Sequence, residues 1–62
     1  MSDEAREAIL EDLEASGPSR PTALLSRLGE RFTDFQIKEA VLRLLREGTV
    51  VLTSDRQLTK AA

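Results

Sequence analysis

The chain contains neither histidine nor cysteine, so any chemistry must come from carboxylates, cations, amides and hydroxyls. Its closest carboxylates lie near the N-terminus. Glu7 and Glu11 are one helical turn apart, and Glu4 and Glu11 are two turns apart. Paired carboxylates can divide acid and base roles, but only in a pocket of several hundred Å³ that shifts one pKa away from the other. A chain of 62 residues is expected to lack room for one, so these glutamates read as a solvated face and no catalytic residue is assigned. Cys/His zinc sites are excluded by composition. The three glycines are dispersed and form no phosphate-cradling loop. The expectation is a protein that is not an enzyme, with no metal, cofactor or small-molecule substrate.

A second set of side chains is suited to recognition. Gln36, Lys38, Arg43 and Arg46 occur within one short stretch, with Arg20 and Arg27 before it and Arg56 after it. A glutamine amide suits adenine, and an arginine or lysine suits guanine or phosphate.

These residues need elements to hold them. The run from Phe32 to Thr53, FTDFQIKEAVLRLLREGTVVLT, is the most informative part of the chain. Thr33 is placed to cap a helix by accepting a bond from a first-turn N–H. Ile37, Ala40, Val41, Leu44 and Leu45 then lay one apolar stripe along it. Gly48 can take the left-handed conformation that ends the helix. Thr49–Thr53 has a strand composition, Ser54-Asp55-Arg56 is a polar turn, and Gln57-Leu58-Thr59 reads as a short returning strand.

Upstream, a first helix is expected from Ser2 or Asp3 to about Ala15. Ser2 can cap it, Asp3 and Glu4 suit its positive end, and Ala5, Ala8, Ile9 and Leu13 form its buried stripe, with Leu10 beside them. Ser16-Gly17-Pro18-Ser19 stops that helix. A second starts near Pro21, offers Leu24, Leu25 and Leu28 inward, and ends at Gly29. Phe32 precedes the third helix, where it can staple against Ile37. The tail Lys60-Ala61-Ala62 reads as frayed. Residues 1–62 therefore form one domain, mainly α with a small β-hairpin.

Net charge is −2, but it is unevenly distributed: the first sixteen residues sum to −5 and the remainder to +3. That asymmetry suggests an acidic side and a mildly basic side. No apolar run approaches the roughly 20 residues of a membrane span, and the acidic start is unlike a secretion signal. A cytoplasmic protein without a membrane partner is the expectation.

Several of these stretches resemble winged helix-turn-helix domains. Ile9-Leu10-x-x-Leu13 followed by Ser16-Gly17-Pro18 is similar to that family's first helix and its exit. Leu24-Leu25-x-x-Leu28-Gly29 is similar to the second helix and turn glycine. Ile37-x-x-Ala40-Val41-x-x-Leu44-Leu45-x-x-Gly48-x-Val50 resembles the recognition helix running into the wing, and Leu58-Thr59 the returning strand. The resemblance covers about nine tenths of the chain. Gly29–Thr33 looks longer than the family's tight turn, and the wing is short, with Arg56 alone near its tip.

The resemblance implies three helices plus a two-stranded wing, double-stranded DNA as partner, and a role as a transcriptional or mobile-element regulator. On that expectation residues 33–47 enter the major groove. Gln36, Lys38 and Arg43 contact the major groove, with Arg46 on the same outer face, Arg20 and Arg27 hold phosphates, and Arg56 reaches the flanking minor groove or backbone. Lys60 is a further backbone contact.

The same face carries an alternative. Phe35 and Leu42 are large apolar residues on one helical stripe, and Val51 can extend it. They either complete a small core through a slight rotation of the helix or form a patch for a protein partner or a second copy. Asp34 and Glu39, repelled by phosphate, lean towards protein.

Overall fold

The computed structural model describes the backbone of residues 3–61 and the side chains from Glu4 onward. The cap expected of Ser2, the side chain of Asp3 and the terminal Ala62 lie outside the described residues. Three helices, α1 (Asp3–Ser16), α2 (Pro21–Leu28) and α3 (Asp34–Glu47), precede an antiparallel hairpin of β1 (Val50–Leu52) and β2 (Leu58–Lys60). This mainly helical order, closed by a two-stranded wing, is the expected topology.

Local chemistry explains the boundaries. Thr33 is the N-cap of α3: its Oγ1 accepts from Gln36 N–H at 3.1 Å, and Gln36 Oε1 accepts from Thr33 N–H at 2.9 Å. The two bonds form a capping box, satisfying both orphan donors reciprocally. At the other end Gly48 has φ 82°, and its N–H donates to Leu45 O while Thr49 N–H donates to Leu44 O at 3.1 Å. That is a Schellman stop, which a side chain at Gly48 would strain. Gly29 ends α2 differently, remaining right-handed at φ −66°. A Cβ there would sit 2.6 Å from Leu25 O, so the close approach rather than the backbone angle requires glycine.

The helices converge on one core. Ala5, Ala8, Ile9 and Leu13 from α1 meet Leu24 and Leu28 from α2, Ile37, Ala40 and Leu44 from α3, and Val50 and Leu58 from the hairpin. Leu10, Leu25, Phe32, Val41 and Leu45 pack around it. Every α1 position assigned to the stripe is buried, as periodicity requires. Among the described residues no helix is long and apolar enough to cross a membrane.

Two expectations are corrected. Lys60 and Ala61 are not frayed: Lys60 pairs with Val50, and Ala61 N–H donates to Thr49 O at 2.9 Å. The exit from α1 also does more than turn the chain. Ser19 forms an antiparallel bridge with Leu58, through Ser19 N–H to Leu58 O at 3.0 Å and Leu58 N–H to Ser19 O at 2.6 Å. The hairpin's inner edge is thereby bound to the α1–α2 connection.

Candidate nucleic-acid interface

Three ion pairs join α1 to the rest of the domain. Arg6 donates to Glu47 of α3 at 2.7 Å, Arg27 of α2 to Asp12 at 2.7 Å, and Lys60 of β2 to Glu14. The Lys60 ammonium, by hydrogen bond and charge, holds the Glu14 carboxyl below its usual range. The Arg6 hydrogen bond does the same for Glu47, with a smaller contribution from the charge of Arg43. Arg31 lies 5.3 Å from the Phe32 ring centroid and shares a surface depression with Glu4, Glu7 and Glu11. The acidic helix thus gathers three cations, Arg27, Arg31 and Lys60, to its own side and sends its own Arg6 to α3.

The remaining cations are distributed elsewhere. Arg20, Lys38, Arg43, Arg46 and Arg56 are exposed and make no ion pair among the described residues. Arg20 and Arg56 line one open cleft between the start of α2 and the wing, together with Pro21, Thr22, Leu52 and Asp55. Its volume is about 590 Å³, and it lies apart from the paired glutamates of α1. It is an open groove carrying a single carboxylate, not a walled pocket with an acid–base pair. No cluster of metal-ligating side chains occurs among the described residues.

Three of the sequence-assigned contacts are engaged within the domain, Lys60 through its ion pair with Glu14 and Arg27 and Gln36 as follows. Arg27 forks Asp12 through Nε and Nη2 and donates to Ser19 Oγ at 2.7 Å, bringing the α1–α2 connection together. Its guanidinium therefore points at α1, apart from the other cations. Gln36 has its carbonyl oxygen held in the capping box, which fixes the orientation of the amide and leaves its NH₂ group as the unengaged end. Arg43 remains exposed but stands at the α1-facing edge of α3, near Arg6 and Glu39.

Arg56 occupies an unusual backbone position, with φ 63°. Thr53 N–H donates to Gln57 O at 2.8 Å and Arg56 N–H to Thr53 O at 2.9 Å, leaving Ser54, Asp55 and Arg56 as the loop. A three-residue hairpin loop of this kind ends in a left-handed residue, normally glycine. An arginine there costs about 1–2 kcal/mol in backbone strain.

The apolar stripe of α3's outer face is real. Phe35 is 70% exposed and Leu42 57%, so neither fills the core. Both lie opposite the buried line of Ile37, Ala40 and Leu44. Val51 is outward at 43%, as alternation on β1 predicts. Leu52 was missed. It sits across from buried Leu58, so alternation turns it inward, yet it is 54% exposed and lines the open cleft with Arg20 and Arg56. A second, strongly apolar groove between α2 and α3 is lined by Pro21, Leu25, Ile37, Lys38, Val41 and Leu42. Pro21 borders both this groove and the Arg20–Arg56 cleft, so the two depressions adjoin at the start of α2.

None of the family models, curated proteins or solved structures compared with this chain matches it.

Proposed function

We propose that this domain binds double-stranded DNA as a small cytoplasmic transcriptional or mobile-element regulator, with α3 in the major groove. One observation carries the reading. The cations without an ion pair, Arg20, Lys38, Arg43, Arg46 and Arg56, lie on α3, at the start of α2 and on the wing, while α1 keeps its acids and their partners together. A basic face of this kind on a net-acidic chain attracts phosphate locally. Lys38 and Arg46 flank the centre of α3's outer face, and Arg20 and Arg56 grip the backbone beside it. Arg43 reads or holds from the edge.

Amide NMR during titration with random duplex DNA tests it. Shifts are expected at residues 20–22, 34–46 and 54–57, and they should fade with salt. Five phosphate contacts imply a slope of log K against log salt of about −4 to −5. Absence of shifts at low salt would overturn the proposal.

The exposure of Phe35, Leu42 and Val51 favours a second reading, a protein-interaction or dimerisation module with these residues as anchors. Phe35→Glu should then abolish the complex, or a dimer, while the fold is kept. Because Phe35 lies outside the core, unfolding of that variant is not expected.

A further inference from the structure

We infer that α3 recognises the C5-methyl groups of the major groove, so that the domain prefers duplexes carrying thymine or 5-methylcytosine. This rests on the DNA-binding reading above and names what that surface selects.

Packing Ile37, Ala40 and Leu44 onto the core turns the opposite line of α3 towards any docked surface. The centre of that line is Phe35 and Leu42, which differ by only about 20° around the axis. Neither can hydrogen-bond a base edge. The polar groups best suited to do so are displaced: Gln36 gives its carbonyl oxygen to the Thr33 N–H, and Arg43 stands towards Arg6. Lys38 is the i+3 neighbour of Phe35 and lies four residues before Leu42, where its long stem lets the ammonium reach phosphate.

Such a face fits a groove floor only where the floor is apolar. In unmodified DNA the one apolar group presented there is the thymine C5-methyl. Around the stripe the five cations Arg20, Lys38, Arg43, Arg46 and Arg56 outnumber the three carboxylates Asp34, Glu39 and Asp55, none of them in an ion pair among the described residues, and this net positive charge is the complementarity that favours DNA. Phe35 and Leu42 are separated by about 10 Å along the helix. That spans about three base pairs at about 3.4 Å each, so two methyls at that spacing can be met.

The test is fluorescence anisotropy at low salt with four alternating duplexes of about 24 base pairs, roughly two helical turns. They are d(AT), d(AU), d(GC) and d(GC) with every cytosine 5-methylated. Burying one methyl is worth about fourfold in affinity, so with two methyls met d(AT) should bind about sixteenfold tighter than d(AU). Methylating d(GC) should raise its affinity, and Phe35→Ala, with its fold checked by circular dichroism, should shrink both differences. Equal affinity for d(AT) and d(AU) would overturn methyl recognition and leave DNA binding standing. A uracil effect with no cytosine-methyl effect would reflect duplex shape and would overturn it too. No binding to any duplex would overturn both readings and leave the Phe35–Leu42 stripe to a protein partner.

Discussion

Arg27 forks Asp12, with Nε 3.1 Å from both carboxylate oxygens and Nη2 2.7 Å from Oδ2, so the cation of α2 faces α1. The same guanidinium holds Ser19 Oγ, one residue before the start of α2's N-cap. Charge and connection are therefore set by one side chain, and the cation is withdrawn from the surface that carries Arg20 and Arg56.

Arg27→Ala should lower stability by about 1–3 kcal/mol, since its hydrogen bonds are charge-assisted and Asp12 would be left without its partner. For a domain of this size each kcal/mol moves Tm by about 4–8 °C. Asp12→Ala should cost a similar amount, and the double variant little more than either single one. DNA affinity measured well below Tm should be unchanged in Arg27→Ala, whereas a loss like that of Arg20→Ala would return Arg27 to the interface.

Arg56 sets stability against binding. Glycine removes the strain of φ 63°, so Arg56→Gly should raise stability by about 1 kcal/mol despite glycine's greater unfolded entropy. It should also weaken DNA binding and lower the salt slope by about 1. Thermal melting and salt-dependent titration of one variant read both effects. Unchanged affinity would remove Arg56 from the phosphate contacts.

Gln36 separates capping from base reading. Gln36→Ala breaks the capping box and should cost about 0.5–1 kcal/mol. Gln36→Glu can keep the box and places negative charge at the helix N-terminus, so its stability should match or exceed that of the parent. An amide reading adenine would be lost in both variants. If the capping bond is the residue's main role, Gln36→Ala should bind DNA as the parent does once both are fully folded.

Acid should loosen α1 from its partners. Glu14 and Glu47 have folded-state pKa values lowered below 4.5 by Lys60 and Arg6 respectively. Their contribution is thus fully present above the unfolded value and is lost as pH falls through the lowered folded values. Urea melts below about pH 5 should show stability falling with pH. A Glu14→Gln/Glu47→Gln variant should show a shallower fall. An identical slope in both proteins would mean the pairs add nothing to folding.

Much of the fold was legible in the sequence because its determinants act over a few residues. Thr33 and Gln36 bond each other across one turn, Gly48 closes α3 beside its own last carbonyls, and Pro21 opens α2 where no N–H is needed. The apolar spacing of Ile37, Ala40 and Leu44 likewise contains its own answer, since helical geometry decides which residues share a face.

The candidate surface was only half legible. Residue type marked Arg27 as a phosphate contact and Lys60 as a wing contact. Their partners Asp12 and Glu14 lie 15 and 46 residues away, and Glu47 lies 41 residues from Arg6. Nothing in local sequence says which carboxylate will arrive beside a given cation, because that depends on how α1 crosses the other elements. The Ser19–Leu58 bridge and the exposure of Leu52 have the same origin. By itself the sequence determined the elements, their caps and the inward stripes, all of which follow from backbone hydrogen bonding and helical period. Only the tertiary structure decided which charges are neutralised and which apolar groups stay in water, because packing brings distant side chains within reach or leaves them outside it.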